Sequence, residues 1–561
     1  MRLFIKTILT LCLFSLDGFG QSELKATDFD ERFYDYLINQ TTSIHSNSSK
    51  LKNIDLNSDG ILQRSEVEQI NNIQLKNLNE NPISLRGIEN FSNLETLILT
   101  NVNAETLDLR ALTKIQYLFF ENCQFTNVLL DGLEHLTELQ IGPGNEKLSS
   151  ISLKNVKNLA VLDIKSDNNQ LKKLDVNGLK SLRQVNLSTD VELRNLNTDN
   201  LRELSCHFQV FNNLNPRTKS KIETLKLYSG RESVKVSGFS KLQSFTAENK
   251  EIADANPQVQ IKHLTFENVP ELKSVSCARI SLETLQFTEL TALNFLYCGF
   301  NNISDLPEIK INNLSCPANK LTRIPNTVLD GVSNLNCSAN NLSELNLKNA
   351  VDLTSLDCSE NKIRTLELGN CKQLQRLAFK SNLLKALELI DLEQLKYLDC
   401  RNNAALKSLS MRNVFLQDFY PPEALTNLCV DPIFMNNTKN FFYNPTFQIN
   451  SSCSVNASMA PLLECDLSSI EKAIRFLEKA IGNNDELALK YSCTRRGYEE
   501  IKRLKKKDFG TLLLEAFTTG NYQSPNERCY EISIKTGAYR AKYNFYLRFG
   551  EWIFDGMPAY H

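Results

Sequence analysis

Histidine is scarce in this chain: five residues among 561, scattered at positions 45, 135, 207, 263 and 561. There is no H-E-x-x-H pair, no glycine-rich phosphate loop and no Ser/His/Asp series in an order known from hydrolases, so the common zinc-protease, nucleotide-binding and triad signatures are absent. Fifteen cysteines contain no C-x-x-C pair, which leaves a structural zinc site without its usual ligands. Beyond the N-terminus no apolar run approaches the roughly 20 residues a bilayer crossing needs, so no transmembrane segment is expected. A net charge of −2 gives no bias toward nucleic acid or an anionic membrane, and no nucleic-acid partner is expected. These absences favour a non-catalytic protein, one whose chemistry is recognition.

What is present is a rhythm. Leu314, Leu335, Leu356, Leu377 and Leu398 stand 21 residues apart. Two positions on come Cys316, Cys337, Cys358, Phe379 and Cys400, and three further Asn319, Asn340, Asn361, Asn382 and Asn403. Leu321, Leu342, Ile363 and Leu384 follow, then Ile324, Leu345, Leu366 and Leu387. Leu-x-Cys alternation makes a short strand with both apolar side chains on one face. A turn of that size cannot bury its apolar face alone; stacked on its neighbours it builds a continuous core under a parallel sheet. The asparagine falls where the chain leaves the strand, where a buried bend needs donors and acceptors for its backbone.

The unit L-x-C-x-x-N-x-L-x-x-L resembles the leucine-rich repeat of short bacterial type. The resemblance implies an α/β-class solenoid, a horseshoe with a parallel β-sheet on its inner face. Upstream the repeat is degenerate; candidate strand anchors are Leu97, Leu118, Leu139, Leu162, Val185, Leu204, Leu225, Phe245, Leu264, Leu285 and Leu296. About sixteen turns at about 4.8 Å each would give a sheet roughly 75 Å long. The cysteines in the repeat have two readings. They could form a disulfide or metal ladder in an oxidising compartment, or be buried free thiols acting as small hydrophobes. Phe379 in the same slot argues for thiols.

The first 20 residues read as a secretory signal: Arg2 and Lys6, an apolar run from Ile8 to Leu16, and Gly18-Phe19-Gly20 before Gln21. Export to the periplasm, cell envelope or medium is expected. Residues 26–40 read as a short helix, with Asp28 as its cap, covering the open end of the solenoid. The stretch from Asp55 to Glu66 matches D-x-N-x-D-G-x₅-E and resembles the calcium loop of EF-hand and dockerin modules. The resemblance assigns Ca²⁺ ligands to Asp55, Asn57, Asp59, the Ile61 carbonyl, Gln63 and Glu66, with Gly60 at the bend. The alternative is a polar turn that binds nothing.

After Leu409 the repeat breaks. TNLCVDPIFMNNTKNFFYNPTFQINSSC resembles the C-terminal cap of exported bacterial leucine-rich proteins, in which a CVD motif and a later cysteine close the array; this implies a disulfide between Cys429 and Cys453. Residues 461–561 read as a separate small α+β domain. An amphipathic helix carries Ile470, Ile474, Leu477 and Ile481, and strands follow around Tyr530 to Ile534, Tyr539 to Phe549 and Trp552 to Phe554. Their order resembles the α+β cone of nuclear-transport-factor-2-like domains. The chain thus divides into a signal (1–20), an N-terminal cap (21–92), the solenoid (93–428), a C-terminal cap and linker (429–460) and the α+β domain (461–561). The expected function is capture of a protein or carbohydrate ligand on the concave sheet. In the degenerate register, His207, Phe208, Lys226, Tyr228 and Glu248 are candidate outward residues, unless that stretch is out of frame and its aromatics are core. The competing reading is a small-molecule receptor or isomerase-like activity in the α+β domain.

Overall fold

Alternation of buried and half-buried residues along each short strand organises the molecule. The computed structural model describes residues 24–430, apart from 25, 40–42, 46–50, 79–83, 166–169, 188–190, 229–230, 249–259, 289, 291–292, 413 and 415, and then 448–450, 470–482, 489, 493, 497, 501, 509–519, 522–526, 529–536, 539–548 and 551–556. The signal segment, most of the C-terminal cap and Cys453 lie outside the described residues. Two compact units are present, Met1–Leu293 and Asn294–His561. No helix among the described residues is long and apolar enough to cross a membrane.

In the first unit the helix Glu31–Asn39 buries Phe33 and Leu37. Its cap is Asp30 rather than Asp28: the Asp30 carboxylate accepts the Arg32 and Phe33 amides at 3.1 and 3.3 Å, because Ala26–Asp28 is already wound into a 3₁₀ turn. Tyr36 fastens this helix to the sheet, its hydroxyl donating to the Lys76 carbonyl and accepting the Lys76 amide, both at 3.0 Å. The strand Ser43–His45 lies antiparallel to Ile70–Leu78 and pairs an edge that would otherwise be open. From Ile70–Leu78 onward the main sheet is parallel. It runs through Thr96–Val102, Tyr117–Glu121, Glu138–Ile141, Val161–Ile164, Gln184–Leu187, Glu203–Cys206, Thr224–Leu227, Ser244–Ala247 and Ser274–Ser276. Leu97, Leu118, Leu139, Leu162, Val185, Leu204, Leu225 and Phe245 are its buried anchors.

Leu264 and Leu285 are not. They stand on His263–Glu267 and Thr284–Thr288, which pair in a second, lateral sheet with Ser233–Ser237. The main-sheet partner of Phe245 is Val275. Each coil carries an apolar alternation at two of its corners, and a 21-residue step from Leu264 to Leu285 follows the lateral corner as faithfully as it would the inner one. Lateral strands also pair at Thr106–Asp108, Asn127–Leu129 and Ser150–Ser152.

The second unit begins with the regular repeats. Phe295–Tyr297, Asn313–Ser315, Asn334–Asn336, Ser355–Asp357, Arg376–Ala378, Tyr397–Asp399 and Asp418–Tyr420 pair in parallel, with each anchoring leucine against the next. Asn319, Asn340, Asn361, Asn382 and Asn403 are buried and form a ladder. Asn361 is representative. Its Nδ2 donates to the carbonyls of Cys358 and Ser359 in its own turn (3.1 and 3.0 Å) and of Cys337 in the turn before (3.0 Å), while its Oδ1 accepts the Leu342 amide at 3.0 Å. The residue ahead of each rung is left-handed: Ala318, Ala339, Glu360, Ser381 and Asn402 have φ between +53° and +56°. That conformation is unfavourable for residues with a Cβ, and the four hydrogen bonds of each asparagine hold it.

Cys298, Cys316, Cys337, Cys358 and Cys400 are buried free thiols, so the disulfide-ladder reading fails for the repeats. Toward the C-terminus the helices Ile470–Gly482 and Phe509–Thr518 pack on each other and on a four-stranded antiparallel sheet, Tyr522–Asn526, Cys529–Thr536, Tyr539–Arg548 and Glu551–Gly556. The first of these strands is not expected from the sequence: Pro525 and the Gln-Ser-Pro-Asn run mask it.

Candidate binding surfaces

In each parallel strand the residues flanking the buried anchor point outward, and these positions compose the face open to a ligand. In the first unit the central part of that face is already occupied with itself. Asp163, nearly buried, holds Lys165 Nζ at 2.8 Å and accepts Asn186 Nδ2 at 3.0 Å; Asn186 Oδ1 accepts the Tyr228 hydroxyl at 2.9 Å. Lys226 pairs with Glu248 at 2.8 Å and lies 5.0 Å from the centre of the Tyr228 ring. Burial pushes the Tyr228 hydroxyl pKa up, against the neighbouring Lys226 charge, which pulls it down.

The five residues expected to face outward divide here. Lys226, Tyr228 and Glu248 meet one another. His207 is buried, not outward: the strand ends at Cys206 and His207 is the N-cap of the helix Phe208–Asn212. Phe208 belongs to that helix, packed on Phe211 at 5.7 Å between ring centres, with the Arg231 guanidinium 5.5 Å above its ring. A strand extrapolated by two residues into a helix accounts for both misplacements.

The second unit presents a different face. Phe295 is 40% exposed and Tyr420 39%, high values for large apolar side chains. The Arg376 guanidinium lies 3.6 Å from the centre of the Tyr397 ring, and Arg401 lies 4.8 Å from that of Tyr420. The two tyrosine rings are 5.6 Å apart, so cations and rings alternate across neighbouring turns. Arg401 is clamped by Asp399, Nε to Oδ1 at 2.9 Å and Nη2 to Oδ2 at 2.6 Å. Burial raises the Asp399 pKa, but the Arg401 bonds outweigh it and hold the carboxyl below its ordinary value. Between Phe295 and Arg376 runs a groove of about 260 Å³ floored by Asn313, Ser315, Asn334, Asn336, Ser355 and Asp357. None of these residues is singled out by the sequence alone, although a signal exists: Arg376, Tyr397 and Tyr420 are the x positions beside Leu377, Leu398 and Phe419.

The acidic loop folds as a tight bend. Asp55 accepts the Asp59 and Gly60 amides (3.2 and 2.8 Å), and Glu66 accepts those of Leu56, Asn57 and Gln63 (2.8, 3.3 and 2.9 Å). Asp55, Gln63 and Glu66 are buried. Asp59 Oδ2 accepts the amide nitrogens of Asn57 and Gln63 at 2.8 and 2.7 Å, and the Asp59 pKa is lowered, first by the Ile61 amide on its other oxygen. Among the described residues no three His, Cys, Asp or Glu side chains are gathered tightly enough to hold a metal ion between them. A cation here would therefore depend on the Asn57, Gln63 and Ile61 oxygens as well as the three carboxylates. That all-oxygen set suits a hard, loosely coordinated ion. Cys429, on the strand Asn427–Val430, is disulfide-bonded.

No protein-family model matches the chain, and no curated protein matches it in sequence. Solved structures do match, at low identity. The functional domain of InlJ from Listeria monocytogenes, whose description includes a cysteine ladder, is 20% identical over 64% of this chain and 71% of that one, with a TM-score of 0.28. YopM from Yersinia enterocolitica is 18% identical over 64% and 78%, with a TM-score of 0.36. YopM from Yersinia pestis, a leucine-rich effector protein, is 20% identical over 64% and 88%, with a TM-score of 0.32. At these scores the likeness goes no further than the parallel-sheet solenoid described above.

Proposed function

We propose that this is an exported, non-catalytic binding protein that captures a protein ligand on the strand face of its second unit. The observation that carries this reading is the composition of that face: two tyrosines stacked under arginines and an exposed phenylalanine, in a row of small polar residues. Tyrosine and arginine are the residue types that dominate binding energy at interface centres, because each offers a large apolar body with a polar tip. In the central part of the first unit's face Asp163, Lys165, Lys226 and Glu248 are already paired with one another. The test uses the full exported chain and its Tyr397→Ala/Tyr420→Ala variant as baits for candidate extracellular proteins and glycans. Tyr420 is exposed and Tyr397 half-buried at the surface, so melting should move by no more than about 1 kcal/mol in stability, while capture falls by at least tenfold. Equal capture by both baits would place the ligand elsewhere; a glycan retained instead of a protein would change the ligand class.

Calcium belongs to the same proposal. The loop from Asp55 to Glu66 leads into the short helix Arg64–Val67 and then into the strand Ile70–Leu78, so ordering it stiffens the start of the sheet. Extracellular calcium modules bind at about 10⁻⁴ to 10⁻³ M. With a constant of about 0.1 mM, about 2 mM calcium would stabilise the protein by about 1.8 kcal/mol. A chelator should lower the melting temperature, and Glu66→Gln should abolish most of that response. Calorimetry showing no heat of binding at millimolar calcium would reduce the loop to a turn.

A further inference from the structure

Arg376 differs from the other cations on its face. Arg401 is held by Asp399, and Lys380 is within 3.6 Å of Glu360. No hydrogen bond or ion pair reaches the Arg376 guanidinium from the described residues; it lies over the Tyr397 ring, 3.6 Å from the ring centre. A guanidinium laid flat on an aromatic face keeps its edge, with its fork of N–H donors, free and oriented. That fork fits a carboxylate bidentately, and prior orientation lowers the entropy lost on pairing.

The groove beside it has a defined sequence of chemistries. Phe295 stands exposed at one end and Arg376 at the other. Between them the carboxamides of Asn313 and Asn334 are linked, Asn334 Nδ2 donating to Asn313 Oδ1 at 2.8 Å. Asn336 Oδ1 accepts from the Ser338 amide and hydroxyl (3.1 and 2.7 Å), and no acceptor among the described residues takes its Nδ2. Asn and Ser side chains carry the donor and acceptor types of a peptide backbone. The strands of Phe295 and Arg376 are four parallel steps apart, about 19 Å at about 4.8 Å per step. At about 3.3 Å per residue an extended peptide covers that with about six residues.

We propose that this groove binds an extended peptide segment of about six residues, with an apolar side chain on Phe295 and a carboxylate on Arg376. The inference rests on the reading of this face as the ligand surface and names its ligand. The asymmetry of the groove, apolar at one end and cationic at the other, favours a chain with differing side chains over a uniform polymer.

The test uses the full chain and fluorescence anisotropy with four synthetic pools of acetylated, amidated hexapeptides. Two pools carry Phe and Glu at opposite ends in either order, with mixed residues between; two replace Glu by Gln. Acidic oligosaccharide and inorganic phosphate serve as further anions. One Glu pool should bind, its Gln counterpart at least tenfold more weakly. Arg376→Ala should weaken the Glu pool by about thirtyfold, as expected for loss of a charged hydrogen-bonded pair, and leave the Gln pool unchanged. Arg376→Lys, which keeps the charge and loses the fork, should fall between. Circular dichroism melting of each variant shows that it is folded. Glu and Gln pools binding alike, or Arg376→Ala binding the Glu pool like the parent, overturns the proposal. So does competition by the oligosaccharide or phosphate but by no peptide. If the peptides fail while Tyr397→Ala/Tyr420→Ala still abolishes protein capture, the carboxylate site is wrong and the ligand face stands. If capture survives that double variant as well, both are wrong.

Discussion

Between pH 8 and pH 10 the second unit of this protein should lose most of its stability, in reducing buffer and without any substitution. Burial raises the thiol pKa of Cys206, Cys298, Cys316, Cys337, Cys358 and Cys400, and also that of Cys123 and Cys371. Cys371 is pushed up to about 11, and Cys123 and Cys298 to about 12. In the unfolded chain each titrates near about 8.5. The folded state therefore holds more protons than the unfolded one above that pH, and its stability falls as pH rises. The contribution is complete below about 8.5 and is lost as pH climbs toward the folded values. Each thiol accounts for about 1.4 kcal/mol per pH unit in that window, about 2 kcal/mol by pH 10. The six of the second unit together reach about 12 kcal/mol, as much as a typical domain possesses, and Cys123 and Cys206 of the first unit about 4 kcal/mol. Urea unfolding at pH 7.5, 8.5 and 9.5 measures the slope. Cys358→Ala should reduce it by one thiol's share, and native thiols should resist alkylation until the chain unfolds. A flat stability over this range would contradict the burial of the cysteine column.

Much of this architecture is legible in the amino-acid order alone, and the boundary between legible and illegible has a physical cause. From Leu314 to Leu398 one residue type repeats at one spacing, and one pattern suffices because every turn solves the same packing problem with the same side chains. Where turns vary in length, the rule that survives is only alternation, and alternation serves two sheets equally. That is why Leu264 looks like a continuation of the inner column when Val275 is the residue that continues it. It is also why His207 and Phe208 read as outward strand residues while belonging to the helix Phe208–Asn212 and its cap. The ligand face is half legible. Arg376, Tyr397 and Tyr420 occupy x positions in the secure register, yet a side chain's availability depends on its neighbours across the strands. Lys226 and Arg376 look alike in sequence; Glu248 neutralises the first, and no described residue pairs with the second. Asn145 shows the converse. It stands outside the regular repeats but is fully buried and makes a ladder rung of the same kind, accepting the Cys123 amide at 2.9 Å and donating to the Gly142 carbonyl at 2.6 Å.

Asn361→Ala should cost about 4 kcal/mol, whereas Asn341→Ala, one turn earlier, should cost under about 0.5 kcal/mol. Both are asparagines of the regular repeats. Asn341 lies half-buried at the surface and accepts Lys362 Nζ at 2.8 Å, a bond water replaces. Asn361 is buried, and its loss strands the Leu342 amide and removes one of two donors from each of the Cys337, Cys358 and Ser359 carbonyls, which keep Asn340 Nδ2, Asn382 Nδ2 and the Ala339 amide. A buried donor without a partner costs about 1–3 kcal/mol by itself. Glu360, held left-handed at φ +56°, also loses the bonds that hold it there. Asn361→Asp separates the two functions of the side chain. It keeps the acceptor for Leu342 but presents a carboxylate to three carbonyls, which raises the folded pKa of that carboxyl above about 3.9. Its protonated form is the compatible one, so the damage should be greatest at neutral pH and ease as pH falls toward about 4. Urea midpoints for the three variants at pH 7 and pH 4.5 decide the matter. If Asn361→Ala behaves like Asn341→Ala, the rungs decorate a solenoid held together by its leucines alone; if Asn361→Asp recovers at the lower pH while Asn361→Ala does not, the ladder's donors are what the bend requires.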